Sequence, residues 1–154
     1  MGEGESMIFT VEDICFEPRP LLKCLCGCKV GYYFCPTVKD VSTAGVFSEI
    51  VKRYKWGVIM LTSEIKKGQD ITLALETRAF LAGYYFALGA TECAVCKSCS
   101  FPEGKPCRDK SRQRLPLYAY GIDVYKTVRG LGLELEVVQR KGDPAKNITA
   151  VFVE

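Results

Sequence analysis

The sequence predicts an α+β or α/β fold, with a small sheet of about four strands packed against helices and two cysteine-rich loops set between them. Short β-branched or apolar runs of strand length recur along the chain, and longer segments carry apolar residues at helical spacing. The two kinds of segment are intermixed, and cysteines cluster between them in two places.

Met7 to Phe16 alternates as a strand does, with Ile8 and Thr10 facing one way and Phe9 and Val11 the other. Cys24 to Pro36 is a Gly- and Cys-rich loop. Thr43 can then cap a helix over 43–55 whose apolar face is Val46 or Phe47, Ile50, Val51 and Tyr54. Trp56 to Thr62 is a continuous apolar run suited to a central strand covered on both faces. Thr72 to Leu88 reads as a helix packing Leu75, Ala79, Ala82 and Phe86, with Gly89 as its left-handed cap. A second cysteine loop follows. Ile122 to Arg129 is expected to be a short helix started by Asp123 and stopped near Gly130 or Gly132. Leu133–Val138 and Ile148–Val153 are expected to pair as a hairpin through the turn at Gly142-Asp143-Pro144.

The 154 residues fit a single domain, 1–154, long enough to bury a core without disulfides as staples. Apolar residues at 48% and charged residues at 25% are a globular balance, and a net charge of +3 is too small to imply a nucleic acid partner. Met1 to Asp13 is acidic and lacks the basic-then-apolar pattern of a secretory signal. No apolar run approaches the roughly 18 residues of a membrane span. A soluble, cytoplasmic protein with no membrane partner is expected. In a reducing compartment, clustered cysteines serve more often as metal ligands or redox groups than as disulfides.

Nine cysteines and no histidine mean that soft metal ligation must come from sulfur, and that no imidazole base is available for hydrolytic chemistry. Cys93, Cys96, Cys99 and Cys107 have the spacing C-x2-C-x2-C-x7-C. A zinc ribbon usually has two separated C-x2-C pairs, whereas a four-iron cubane offers a separate iron corner to each of three closely spaced thiolates. The second loop therefore points to a 4Fe-4S cluster, with zinc and a metal-free dithiol or disulfide as alternatives. A thioredoxin-type role for Cys93 and Cys96 needs a helix amino terminus to lower the thiol pKa, and this pair is expected to follow a helix's carboxyl end. In the first loop Cys24, Cys26, Cys28 and Cys35, the last followed by Pro36, could close a second site. Alternatively only some of them bind, or Cys35 crosses to the other cluster. Cys15 lies between Ile14 and Phe16 and is read as a small hydrophobe in the core.

Six cations, Lys97, Lys105, Arg108, Lys110, Arg112 and Arg114, surround the second loop against Glu103 and Asp109. They could balance a thiolate-ligated cluster or dock an acidic redox partner, or simply be a solvated charged loop. Tyr32-Tyr33-Phe34 and Tyr84-Tyr85-Phe86 could shield a cluster from water or serve as ordinary core. Gly130-Leu131-Gly132 lacks the third glycine and preceding strand of a dinucleotide site, and no phosphate loop is present.

The chain resembles a family of small, cysteine-rich prokaryotic proteins predicted to bind metal, the domain of unknown function 2284. The resemblance rests on Gly27-Cys28 with Cys35-Pro36, and on Gly83-Tyr84-Tyr85-Phe86-Ala87-Leu88-Gly89-Ala90 running into Cys93, Cys96 and Cys99. It continues through Pro106-Cys107-Arg108 and Tyr120-Gly121-Ile122-Asp123-Val124. The chain departs at Thr37, where the family has a second proline, and at Arg114-Leu115-Pro116-Leu117, where it has Arg-Pro-Ser. The resemblance implies a metal and supplies no reaction. The leading functional expectation is a small redox or accessory protein whose one or two iron–sulfur clusters exchange electrons with a partner protein. The alternatives are a zinc-stapled binding module without redox activity and an enzyme whose cluster keeps an open iron corner.

Overall fold

The computed structural model describes residues 5–19, 41–100, 103–135 and 146–154. The first cysteine loop, with Cys24, Cys26, Cys28 and Cys35, lies outside the described residues, as does the turn at Gly142-Asp143-Pro144. The described chain forms one antiparallel sheet of four strands with helices, an α+β architecture. Its strands are β1 (Ser6–Thr10), β2 (Trp56–Thr62), β3 (Leu88–Ala90) and β4 (Asn147–Val153), in the order β1-β2-β4-β3. Three α-helices accompany them: α1 (Val41–Val51), α2 (Ile65–Leu81) and α3 (Val124–Gly130).

Side chains alternate across the sheet. Phe9, Ile59, Leu61, Ala150 and Phe152 share one face with the core, where they join Val51, Leu117, Ile122, Val124 and Val128. Phe9 meets Phe152 edge-on with centroids 5.5 Å apart, and Tyr54 lies 6.0 Å from the same ring. On the opposite face α2 seats through small and polar residues. Its buried positions are Gly68, Gln69 and Thr72, and the Thr72 hydroxyl is hydrogen-bonded to that of Thr149 on β4. A β-carbon at Gly68 would stand 2.5 Å from Asn147 Nδ2, 2.7 Å from Thr62 Oγ1 and 2.8 Å from Thr149 Cγ2. Only a glycine lets the helix backbone come this close.

β2 forms over the expected residues and is internal, pairing with β1 through Trp56↔Thr10 and with β4 through Trp56↔Val153. The first strand is shorter than expected. The Asp13 carboxylate accepts from Thr10 N at 2.7 Å and from Thr10 Oγ1 at 3.1 Å, which turns Val11–Asp13 into a 3-10 helix. Phe16 keeps only an isolated bridge to Ile122. Thr43 falls inside α1 instead of capping it. Val51 is buried in the core with Phe47 packed partly buried beside it, while Val46 and Ile50 are exposed.

The second helix is displaced by seven residues at each end from the expected 72–88. Its left-handed cap is Gly83, with φ +101°, and not Gly89. Gly83 N donates to Phe80 O and Tyr84 N to Ala79 O, each at 3.0 Å, which satisfies the last turn's carbonyls. Gly89 lies in β3 instead, and Phe86 is solvent-exposed. α3 starts where expected: Asp123 caps it by accepting from Lys126 N at 3.0 Å. It ends in the same two-bond motif, Gly132 N to Arg129 O at 3.0 Å and Leu133 N to Val128 O at 3.1 Å. Among the described residues no closing hairpin is seen: 133–135 carry no strand, β4 pairs with β2 on one side and β3 on the other, and the rest of the expected Leu133–Val138 strand lies outside the described residues.

Candidate metal site

The second cysteine loop leaves the sheet directly after β3 and returns to the core at a 3-10 helix, Leu117–Tyr120. A backbone bond closes its neck: Thr91 N donates to Leu115 O at 2.9 Å, and Thr91 is fully buried. Two polar side chains of α2, about two turns apart, reach out to this loop. Gln69, 1% exposed, accepts from Ala94 N through Oε1 and donates from Nε2 to Arg112 O at 3.2 Å and to Cys93 Sγ at 3.7 Å. The amide orientation follows from its partners, since Ala94 N–H needs an acceptor and the Arg112 carbonyl a donor. Glu76 holds Arg114 with both oxygens, the Nε–Oε2 contact being 2.9 Å, and Oε2 also accepts from Gly89 N at 2.6 Å. Hydrogen bonding to Glu76 raises the Arg114 pKa above its ordinary value.

Within the loop, Ser100 Oγ donates to Pro106 O at 2.7 Å, and Ser100 O accepts from Glu103 N and Lys105 N at 3.1 and 3.2 Å. Cys99 and Cys107 are the residues immediately outside that tie. Tyr118 Oη donates to Glu92 Oε1 at 3.0 Å, and Arg108 Nη2 to Ser98 O at 3.2 Å. Arg112 and Ser111 hydrogen-bond the Asp109 carboxylate and lower its pKa, the Arg112 bond contributing most.

Cys93, Cys96, Cys99 and Cys107 are all free and half-buried on this one loop. Among the described residues no three Cys, Asp or Glu side chains are gathered closely enough to hold an ion. Their chemistry fits a soft metal: sulfur donors only, each reachable, one of them already facing an N–H. Cys15 is half-buried outside any strand; its N–H donates to Thr127 Oγ1 at 3.0 Å and its carbonyl accepts from Asp123 N at 2.8 Å.

The reason for setting aside a thioredoxin-type dithiol changes. Cys93 follows a strand and not a helix end, and 91–100 contain no helix, so no helix dipole acts on the pair from its own segment. The basic rim is partly spent locally. Arg114 pairs with Glu76, Arg112 with Asp109 and Lys105 with Glu103, and Lys97 and Lys110 have no ion pair among the described residues. Tyr84, Tyr85 and Phe86 are exposed at 37%, 68% and 68%, so they are not core. Tyr84 lies edge-on to Trp56 at 5.9 Å, and Tyr85 to Phe80 at 5.7 Å.

The profile of one family, described as a predicted metal-binding protein (DUF2284), matches residues 7–153, nearly the whole chain. The chain belongs to this family. No curated protein and no solved structure matches it. Among the described residues no helix is long and apolar enough to cross a membrane. Gln69 and Glu76 escaped sequence reasoning because both precede or interrupt the apolar pattern used to place the helix. The available signal was the helix's small-and-polar stripe, Gly68, Thr72 and Glu76, at i, i+4, i+8.

Proposed function

We propose that this metal-binding protein is a small redox or accessory protein in which Cys93, Cys96, Cys99 and Cys107 hold a 4Fe-4S cluster. Cys24, Cys26, Cys28 and Cys35 supply the ligands of a second site. The observation that carries the reading is four free, half-buried thiols on one loop of a chain without histidine that belongs to a metal-binding family. When bound, a thiolate-ligated cluster supplies a one-electron couple. The chain's own contribution is to fix the neck of the loop from α2 and to leave Lys97 and Lys110 available to an acidic redox partner protein. Cytoplasmic residence, where thiols stay reduced, is part of the same proposal.

Purification without oxygen tests it. A brown protein is expected, with iron and sulfide in cluster proportion, sulfur-to-iron absorption near about 400 nm and a paramagnetic signal on reduction or oxidation. A colourless product with stoichiometric zinc would sink the proposal.

One observation supports a second reading, a structural metal such as zinc. Among the described residues of 92–113, Ser100 alone is buried, so a metal that only staples the loop would contribute folding energy there. Zinc uptake without a reversible one-electron signal separates this reading from the first.

A further inference from the structure

Gln69 is placed to do more than close a loop. It is a buried amide on a helix, 24 residues before Cys93 in sequence, and each of its polar atoms has a partner in the cysteine loop. Oε1 takes the Ala94 N–H on the outgoing limb, and Nε2 reaches the Arg112 carbonyl on the returning limb. Nε2, which has a second hydrogen to donate, also lies 3.7 Å from Cys93 Sγ, within hydrogen-bond range of sulfur. Among the described residues, none of the other three loop thiols has a helix-borne donor on its sulfur.

The structure assigns Gln69 as a positioning residue for Cys93, holding the two limbs of the loop together and directing an N–H onto the sulfur. This rests on the reading of Cys93 as a metal ligand. An N–H directed at a ligating sulfur stabilises negative charge there and so favours the more reduced, more negative state of a bound cluster. Cys93 thereby differs from Cys96, Cys99 and Cys107 as the ligand whose orientation is fixed before metal arrives. Gly68 seats the preceding residue hard against the sheet, so the amide is carried on a rigid support.

The test uses the full chain with and without iron. In the metal-free protein, Gln69→Leu should cost the Ala94 amide about tenfold of its hydrogen-exchange protection, the worth of one part-buried hydrogen bond. Gln69→Glu keeps an acceptor oxygen for Ala94 and should retain that protection, which also serves if the leucine variant folds poorly. Cys93→Ser should shift the Gln69 side-chain amide resonances, and Cys96→Ser should leave them in place. In the iron-loaded protein, Gln69→Leu should lower the midpoint potential at unchanged iron content. Unaltered Ala94 protection in Gln69→Leu, Gln69 resonances blind to Cys93→Ser, or an unchanged potential would each overturn the assignment. Failure of the wild-type chain to take up iron defeats the cluster reading instead, and the metal-free measurements still decide the role of Gln69.

Discussion

Phe152, Leu61, Ile122, Val51 and Val128 are almost wholly buried and lie in one cluster, whereas the described part of 92–113 buries only Ser100 and is tied down by Gln69 and its own polar side chains, with Glu76 holding Arg114 and Gly89 at its neck. The first region is stabilised by apolar area removed from water, spread over many residues. The second depends on a few hydrogen bonds at its neck, so it can open without the sheet opening. The contrast suits the proposed site: the rigid half carries the support, and the adaptable half carries the sulfur.

The comparison is broken most severely by Phe152→Ala. Removing a ring that meets both Phe9 and Tyr54 should destabilise the whole chain by about 3–5 kcal/mol, read as a fall in the denaturant midpoint. A loss confined to the cysteine loop would contradict the division drawn here. Chelating the metal from the loaded protein should give the converse pattern. Amides in 92–113 should lose protection by an order of magnitude or more, while those of β2 and β4 keep theirs. Equal loss in both regions would show that they unfold as one.

Glu76→Ala should fall between these cases. It removes the acceptor of Arg114 Nε and Nη2, on a side chain 18% exposed, and of Gly89 N–H, costing about 2–3 kcal/mol in chemical denaturation. Glu76→Gln should recover part of that, since one oxygen remains for Gly89.

The smallest effect concerns the core at high pH. Burial raises the pKa of Tyr120 well above the ordinary phenol range, partly offset by Arg114. The folded state therefore favours the neutral phenol. Its contribution is complete below the ordinary tyrosine pKa of about 10 and fades as pH climbs through and beyond it. Tyr120→Phe should flatten the alkaline decline in thermal midpoint; an identical decline would place the titrating group elsewhere, Tyr54 being the next phenol raised by burial.

β2 was legible to the residue because seven consecutive residues, most of them apolar, suit a strand covered on both faces, and α3 because Asp123 is a strong cap. α2 was misplaced for a physical reason. Its buried positions Gly68, Gln69 and Thr72 carry little hydrophobic signal, so the apolar pattern slid toward Ala82 and Phe86, which are exposed. β3, at three residues including Gly89, is too short to read by alternation. Local adjacency of two apolar runs could not show that β4 has partners on both sides from elsewhere in the chain, β2 and β3. The cysteines of the second loop announced themselves by spacing. Their supports could not, since Gln69 and Glu76 look like ordinary solvent-facing helix residues until the topology brings the loop beside them.

The near-contact at Gly68 therefore reaches further than helix packing. A methyl added there would push against Asn147, Thr62 and Thr149, and the displaced rod would carry its two polar arms away from the sulfur-bearing segment. One missing carbon sets the stand-off between two layers, and through that gap it governs the readiness of a distant thiol.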